Sequence, residues 1–306
     1  MAKTKLIPEH LRIDSEKVSQ KLAAFIQNSV KSSKTKGVII GLSGGLDSST
    51  VLALAATTFP PHKILGLIMP ERDSSLDSES DAKLIAKITG IKYDRVELTP
   101  ILDKMGIYQH IPKVIFSQKN LAGAAVMGGY KLYTKLTGER PFLSGLKGTN
   151  FGLIKRTNAY YRMKHRLRRT ILYSYAEREN LLVMGTINKT EYLTGFFVRY
   201  GDNAADIMPL INLYKTQVWL LAKFLRIPDK IINKAPSPDL IPGITDEFAI
   251  GISYEKLDLI LSELSRNETI QDIATISNTK PKTIEYVKEL VKRSEYMRIM
   301  PYIPSD

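Results

Sequence analysis

The chain has 306 residues, of which 43% are hydrophobic and 25% charged, so it can bury a core as one large domain or two smaller ones. Cysteine is absent, which excludes disulfides, thiolate metal sites and a cysteine nucleophile. The net charge of +13 suits a nucleic-acid partner, small polyanions such as nucleotides, or a solvated basic surface. No apolar run is long enough to cross a membrane, and residues 1–14 lack the apolar segment of a secretory signal, so we expect a cytoplasmic protein.

Strand and helix patterns alternate in the first third of the chain. In order, they predict a helix over 14–33, a strand over 37–42, a helix over 49–59, a strand over 63–70, a helix over 75–89 and a strand over 92–98. Short apolar strands that alternate with helices are typical of parallel strands joined by right-handed crossovers. The order therefore predicts a doubly wound parallel sheet of the Rossmann-like α/β class.

The middle of the chain is less periodic. Residues 105–158 are rich in Gly and Lys, and apart from a helix predicted near 119–136 we interpret them as an insertion or cover. Regular patterns then predict a helix over 159–179, a strand over 181–186, a helix over 215–227 and helices near 254–265, 269–276 and 280–295. Loops are predicted over 195–209 and 235–247.

The segment SGGLDSS, residues 43–49, lies between the first predicted strand and its helix. Gly44 and Gly45 can adopt backbone conformations closed to other residues, so their N–H groups can cradle an anion at the helix N-terminus. Asp47 would be repelled by bound phosphates unless a divalent cation lay between them, which indicates Mg²⁺ with a nucleotide. The alternative is a plain glycine turn in which Asp47 caps the helix.

The loop lacks the GxxxxGK[ST] pattern of a Walker A loop, which grips the β and γ phosphates. It resembles the pyrophosphate loop of the ATP pyrophosphatases, the adenine nucleotide alpha-hydrolase-like superfamily, which cleave ATP between its α and β phosphates. Within that superfamily, residues 184–224 and 236–258 resemble the ammonia-dependent NAD synthetases, and the likeness extends over 18–104 and 159–262. The resemblance implies a five-stranded parallel sheet flanked by helices at both termini, a single catalytic domain over 1–306, and a homodimer.

The resemblance also implies roles for residues at matching positions. Asp47 and Glu191 match Mg²⁺ ligands, and Asp47, Lys215 and Asp202 match catalytic positions, with Asp202 near the ammonia site. The implied ATP contacts are Gly41, Leu42, Ser43, Gly44, Gly45, Leu46, Asp47, Ser48, Arg168, Thr186, Lys215 and Ser237. The implied contacts to deamido-NAD are Arg166, Arg199, Asp206 and Arg298.

Some of these positions can also be judged from the residues themselves. Lys164 and Arg168 repel each other at i, i+4 on one helix, which a bound polyphosphate would offset; a solvated basic face is the alternative. Lys215 opens a helix, where a cation opposes the dipole, so either an anion binds there or the lysine is an ordinary surface residue. Glu191 follows Asn188 by three residues and could simply cap its helix.

The implied reaction is the ATP-dependent amidation of deamido-NAD to NAD through an adenylated intermediate, with release of AMP and pyrophosphate. Glutamine-dependent relatives carry an extra domain with a cysteine nucleophile, which this chain lacks, so free ammonia or a separate glutaminase subunit supplies the nitrogen. Two features depart from the family: Tyr296 and Met297 replace a His-Lys pair, and residues 105–158 are longer than the usual connection, with Arg162 following where Asn is common. The alternatives are amidation of another carboxylate, a tRNA-modifying enzyme, or a non-catalytic nucleotide sensor. We expect no nucleic-acid partner because we find no added RNA-binding module.

Overall fold

The central sheet of the computed structural model is parallel throughout the residues that the structure describes, which are 8–110, 119–148, 151–237 and 244–299. Its strands are β1 (Gly37–Gly41), β2 (Ile64–Ile68), β3 (Lys92–Arg95) and β4 (Leu181–Met184). Their order across the sheet is β3-β2-β1-β4. The chain starts in the middle of the sheet, winds to one side and returns to the other, which confirms the predicted doubly wound parallel sheet.

The fifth strand implied by the resemblance is reduced to a remnant in the described residues. Ile207 forms a single parallel bridge with Met184 at the end of β4. Pro209 follows two residues later, and because proline has no N–H group it cannot extend the ladder. The described part of the sheet therefore has four strands and one bridge instead of five strands.

Helices cover both faces of the sheet. The α-helices of the described residues are α1 (Ser15–Ser33), α2 (Leu46–Thr58), α3 (Leu76–Thr89), α4 (Thr99–Lys104), α5 (Lys119–Thr137), α6 (Pro141–Lys147), α7 (Gly152–Glu179), α8 (Lys189–Thr194), α9 (Lys215–Phe224), α10 (Asp229–Ile232), α11 (Asp246–Ile250), α12 (Tyr254–Ser265), α13 (Ile270–Ser277), α14 (Pro281–Arg293) and α15 (Glu295–Arg298). In this part of the chain, none of them combines the length and apolarity needed to cross a membrane.

Every helix predicted from the sequence is present, and the differences lie at the ends and in short elements. Helix α7 begins at Gly152, before the predicted start at residue 159, because its first turns are largely exposed and carry no apolar pattern. Helices of one or two turns, such as α6 and α8, are too short to show a period and were not predicted. Residues 111–118 and 149–150 of the predicted insertion and 238–243 of the predicted Pro-rich loop lie outside the described residues.

The strands β1, β2 and β4 are buried on both faces because their residues alternate between two cores, whereas the edge strand β3 is exposed along its length. Ile39, Leu67 and Val183 pack in one core with Tyr160 and Leu172 of α7. The strand residues between them belong to the larger core, where α1, α2 and α9 pack against one another. Since all strands are parallel, the loops that follow them meet at one edge of the sheet, which is the usual place for a ligand site.

Candidate active site

The loop between β1 and α2 packs its backbone directly against α3. Gly44 has a φ of +70°, and a Cβ there would stand 2.1 Å from the carbonyl oxygen of Ser78, so only glycine fits. Ser43 Oγ lies 2.9 Å from Ser48 Oγ and accepts a 3.2 Å hydrogen bond from the N–H of Gly45. These bonds hold the loop in one shape at the N-terminus of the 13-residue α2, where N–H groups favour an anion.

Asp47, in the first turn of α2, faces residues from two other helices. Its Oδ1 accepts a 3.0 Å hydrogen bond from Nδ2 of Asn188, and its Oδ2 pairs with Nζ of Lys215. Oε1 of Glu191 lies 3.6 Å from the same Nζ. Because Glu191 lies in α8 and Lys215 opens α9, three separate helices bring these predicted site residues together. We refer to Asp47, Glu191 and Lys215 as the acid–lysine cluster.

The structure decides between the alternative roles of these three residues. Gly45 is the N-cap of α2, so the interpretation of Asp47 as a helix cap is wrong. Lys215 is 2% exposed, which excludes an ordinary surface lysine. Glu191 does cap its helix, since its Oε2 accepts a 3.3 Å bond from the N–H of Asn188, while its Oε1 faces Lys215. Glu191 therefore caps α8 and belongs to the cluster as well.

The cluster and its surroundings hold more negative than positive charge. Burial, and then the neighbouring Asp47, raise the pKa of Glu191 well above its ordinary value. Burial lowers the pKa of Lys215, but Asp47 and Glu191 outweigh it and raise that pKa above its ordinary value, so the ammonium is retained. Burial also raises the pKa of nearby Asp246 to about 6, and Oδ2 of Asp246 accepts a 2.9 Å bond from Tyr254.

A divalent cation suits this set of donors. Asp47 and Glu191 offer carboxylate oxygens, the ligands that Mg²⁺ prefers, and their closeness favours an added positive charge. Oδ1 of Asp246 is buried without a hydrogen-bond partner among the described residues. In those same ranges, no group of three or more His, Cys, Asp or Glu side chains could hold a metal ion, so a cation here would also need phosphate oxygens or water.

Lys164, on the basic helix α7, forms ion pairs with two carboxylates inside the protein. Lys164 is fully buried, and its Nζ lies 2.9 Å from Oε1 of Glu71 and 2.7 Å from Oδ2 of Asp73. Tyr108 donates a 2.9 Å hydrogen bond to Glu71, and Tyr160 donates to Asp73. The alternative of a solvated basic face is therefore wrong for Lys164, and internal carboxylates, not a bound polyphosphate, offset its charge.

Three further predicted ATP contacts, Arg168, Thr186 and Ser237, lie outside the glycine loop. Nε of Arg168 donates a 3.3 Å bond to the carbonyl of Met69, just after β2, and Thr186 is partly exposed just after β4. Both residues therefore lie at the edge of the sheet where the loop is found. Ser237 donates a 2.9 Å bond to the carbonyl of Ile244 across residues 238–243, which lie outside the described residues.

Three of the predicted substrate and ammonia residues come together beside α7. Nε and Nη2 of Arg166 donate to the carbonyl of Arg199 at 3.3 and 3.2 Å. Oδ1 of Asp202 lies 2.5 Å from Nδ1 of His165, and its Oδ2 accepts a 2.8 Å bond from the N–H of Val198. Burial raises the pKa of Asp202, but His165 outweighs burial and lowers that pKa to about 2, so the carboxylate stays ionised.

Asp206 and Arg298 are instead bound into the scaffold. Asp206 accepts a 3.0 Å bond from Tyr173 and a 2.8 Å bond from the N–H of Val183 in β4. Arg298 donates to backbone carbonyls near the ends of α8 and α14, including that of Leu193 at 2.9 Å. The structure therefore does not bring these two predicted substrate residues into the acid–lysine cluster.

Sequence reasoning missed the residues that support the cluster from behind. Thr190 donates a 2.5 Å bond to Asp258 and accepts a 2.9 Å bond from the N–H of Lys215. The sequence does carry a signal for Asp258, which is an acid flanked by leucines within a helix pattern. The sequence pattern marks Asn188 only as a capping partner, and Thr190 has no signal that distinguishes it from other threonines.

A parallel α/β sheet with a tight glycine loop after its first strand and a carboxylate–lysine cluster beside that loop is typical of nucleotide-binding α/β enzymes. A family model described as NAD synthase matches residues 18–127 and 149–301. The chain belongs to the NAD synthase family.

Relatives with assigned names span nearly the whole chain. It is 41% identical over 285 residues to the NH(3)-dependent NAD(+) synthetase of Thermotoga maritima, covering 93% of this chain and 98% of that protein. It is 37% identical to the NH(3)-dependent NAD(+) synthetase of Thermococcus sibiricus, covering 95% and 98%. Among solved structures, NMN synthetase from Francisella tularensis has a TM-score of 0.71 at 27% identity, covering 96% of this chain and 100% of that one. NH3-dependent NAD synthetase from Campylobacter jejuni has a TM-score of 0.68 at 27% identity with the same coverage.

Proposed function

We propose that this protein is a carbon–nitrogen ligase that uses ATP and ammonia to convert deamido-NAD to NAD, releasing AMP and pyrophosphate. The observation that carries the proposal is the acid–lysine cluster, where Asp47 of the loop meets Lys215 and Glu191 in a chain of the NAD synthase family. A glycine loop alone would suit many anions. The adjoining carboxylates and buried ammonium favour ATP bound with a divalent cation.

The reaction proceeds in two steps. An oxygen of the nicotinate carboxylate attacks the α-phosphorus of ATP, the bond to the bridging oxygen breaks, and pyrophosphate leaves with that electron pair. Ammonia then attacks the carboxyl carbon of the resulting adenylate, AMP leaves, and the nitrogen loses a proton. Neither step needs a nucleophilic side chain, so positioning and charge neutralisation supply the catalysis.

The proposed roles of the protein groups follow from their charge. The loop N–H groups at the start of α2 would hold the departing pyrophosphate. Lys215, whose ammonium is retained by its carboxylate neighbours, would stabilise the charge that develops on the phosphates. Asp202, kept ionised beside His165, would orient ammonia near the carboxyl carbon.

Asp47 and Glu191 would hold Mg²⁺, and the support for this is their closeness to each other and to a single ammonium. When bound, the ion neutralises phosphate charge and makes pyrophosphate a better leaving group. The proposed further contacts to ATP are Arg168, Thr186 and Ser237. The proposed contacts to deamido-NAD are Arg166, Arg199, Asp206 and Arg298.

The test is a reconstituted reaction with ATP, Mg²⁺, deamido-NAD and an ammonium salt. We expect NAD, AMP and pyrophosphate to form in equal amounts, and we expect glutamine to be a poor replacement for ammonium because the chain has no cysteine. Absence of pyrophosphate release with deamido-NAD would overturn the proposal.

Nicotinate mononucleotide is the second candidate substrate, because NMN synthetase from Francisella tularensis is a structural relative at 27% identity. It carries the same carboxylate and could undergo the same two steps. Comparing kcat/KM for the two substrates separates the candidates, since a preference for the mononucleotide would replace the first proposal with the second.

We further propose a homodimer in the cytoplasm that uses free ammonia without a glutaminase subunit. The NH(3)-dependent activity named for the relatives that cover most of this chain supports the use of free ammonia, and the homodimer is proposed from the family resemblance alone. Light scattering on the purified protein tests the dimer, and a mass equal to that of one chain would contradict it.

A further inference from the structure

Residues 128–148 lie between the two segments that the NAD synthase model matches. They comprise the second half of α5 and the whole of α6. We refer to residues 128–148 as the bridging segment. It is packed against the rest of the chain, and its contacts involve the same elements that carry the predicted substrate residues.

Two adjacent carbonyls of the bridging segment each accept a hydrogen bond from a different part of the chain. The carbonyl of Gly145 accepts a 3.3 Å bond from Nη2 of Arg162, in α7. The carbonyl of Leu146 accepts a 2.6 Å bond from the hydroxyl of Tyr296, in α15. The end of α6 therefore joins the middle of α7 to the C-terminal helix.

Both donors are close to the predicted anion-binding arginines. Arg162 lies one helical turn before Arg166 on α7. The ring of Tyr296 lies 6.0 Å from the guanidinium of Arg199, and Arg166 donates two bonds to the carbonyl of Arg199. The bridging segment thus contacts Arg162 directly and reaches Arg199 through Tyr296, while Arg199 accepts the bonds from Arg166, one turn after Arg162 on α7.

Further contacts fix the segment along its length. Glu139 pairs with Arg293 at 2.5 Å, and Tyr130 donates a 3.1 Å bond to the carbonyl of Ala249 in α11. The ring of Phe142 also packs edge-on against Phe196, which follows α8. A segment fixed at several points can hold the arginines near it at a set spacing.

We propose that the bridging segment positions Arg166 and Arg199 for the phosphates of the dinucleotide substrate, with Tyr296 as the positioning residue. The inference rests on the proposed function and deepens it. A guanidinium has five N–H groups, and Arg166 uses two of them on the carbonyl of Arg199, so donors remain for a phosphate. Loosening the segment would shift this pair without touching the acid–lysine cluster.

Tyr296→Phe tests the proposal because it removes one hydroxyl and keeps the ring. Losing one hydrogen bond that orders the arginines should raise the KM for deamido-NAD about fivefold. The KM for ATP and kcat should stay within about twofold of the wild type, because the loop and the cluster are untouched. Tyr286→Phe is the matched control, since it removes a 2.6 Å bond to the carbonyl of Ile250 and keeps the ring that contacts Arg140 of the bridging segment.

Glu139→Gln is a second test because it weakens the pair with Arg293 near the middle of the segment, away from the Tyr296 contact. It should raise the same KM by a smaller factor. An unchanged KM for deamido-NAD in both variants, or an equal rise in the KM for ATP, would overturn the inference while the wild type still forms NAD. A wild type that forms no NAD would overturn the proposed function and this inference with it.

Discussion

Asp258 accepts a 2.5 Å hydrogen bond from the hydroxyl of Thr190, and both residues are fully buried. The other oxygen of Asp258 accepts a 2.7 Å bond from the N–H of Thr216, and Thr190 accepts one from the N–H of Lys215. One carboxylate in α12 therefore ties α8, which carries Glu191, to the first turn of α9, which carries Lys215.

Asp258→Asn should lower kcat/KM for the proposed ligase reaction about 10-fold. The NH2 group of the asparagine would face either the hydroxyl of Thr190 or the N–H of Thr216, both of which are donors, so one hydrogen bond is lost. The spacing of Glu191 and Lys215 is then less well fixed. Steady-state kinetics with ATP and deamido-NAD measures the effect. Glu255→Gln, a neighbouring acid on α12, is the control and should behave like the wild type. Equal activity in the two variants would show that the tie between α8 and α9 does not matter for catalysis.

Asp258 also gives the stability of the protein a pH dependence. Burial raises its pKa from 3.8 to about 6, against the hydrogen bonds from Thr190 and Thr216. Between those values the folded state holds a proton that the unfolded state has lost, so the free energy of unfolding falls as pH rises through the window and is level above it. We expect this group to account for about 2–3 kcal/mol of that fall.

Urea unfolding of the wild type and of Asp258→Asn at about pH 4 and about pH 7 measures this contribution. Because the variant lacks the titrating group, its stability deficit should be larger at the lower pH and shrink at the higher one. A deficit that is the same at both pH values would contradict the raised pKa.

Gly44→Ala should destabilise the fold by about 2–4 kcal/mol and abolish ATP binding, because a Cβ would meet the Ser78 carbonyl and would also be forced into the left-handed region. Gly45→Ala is a matched control with φ of −88°, and its Cβ would meet only the Ser43 hydroxyl at 3.2 Å. Thermal unfolding and ATP titration follow both variants. Similar losses of stability and ATP binding in the two variants would mean that the left-handed backbone and the Ser78 contact at Gly44 are not the cause.

The parts of the fold and site that local sequence specifies were predictable. The glycine loop, Asp47 and Lys215 stand at ends of strands and helices, where caps and turns leave a readable pattern. Residues that meet only through the tertiary fold leave no such local pattern. Thr190 and Asp258 are 68 positions apart, and Lys164 lies 93 positions from Glu71. The fifth strand is a single bridge at Ile207 in the described residues, and Pro209, which cannot donate to a ladder, follows it two residues later.

Lys164→Met should cost about 3–5 kcal/mol of folding free energy, because it leaves the buried carboxylates of Glu71 and Asp73 without their ammonium. Lys155→Met, an exposed lysine on the same helix, should cost little. Adding Glu71→Gln and Asp73→Asn to Lys164→Met should recover part of the loss, since it removes both buried charges, of which Asp73 alone would keep a cationic partner, Arg72. Urea unfolding measures all of these, and a small cost for Lys164→Met alone would refute the buried ion-pair account.

Asp47→Asn should reduce turnover to background while leaving the fold intact, because the proposed metal site loses one of its two carboxylates and Lys215 loses its closest anion. Pyrophosphate release reports turnover, and thermal unfolding confirms that the variant is folded.

Calorimetric titration of ATP with and without Mg²⁺ distinguishes a metal defect from a general binding defect. The wild type should bind ATP more tightly with Mg²⁺, and the variant should lose most of that difference. Ser49→Ala, on the same helix, is the control. Near-normal turnover in Asp47→Asn would show that Asp47 is not a metal ligand.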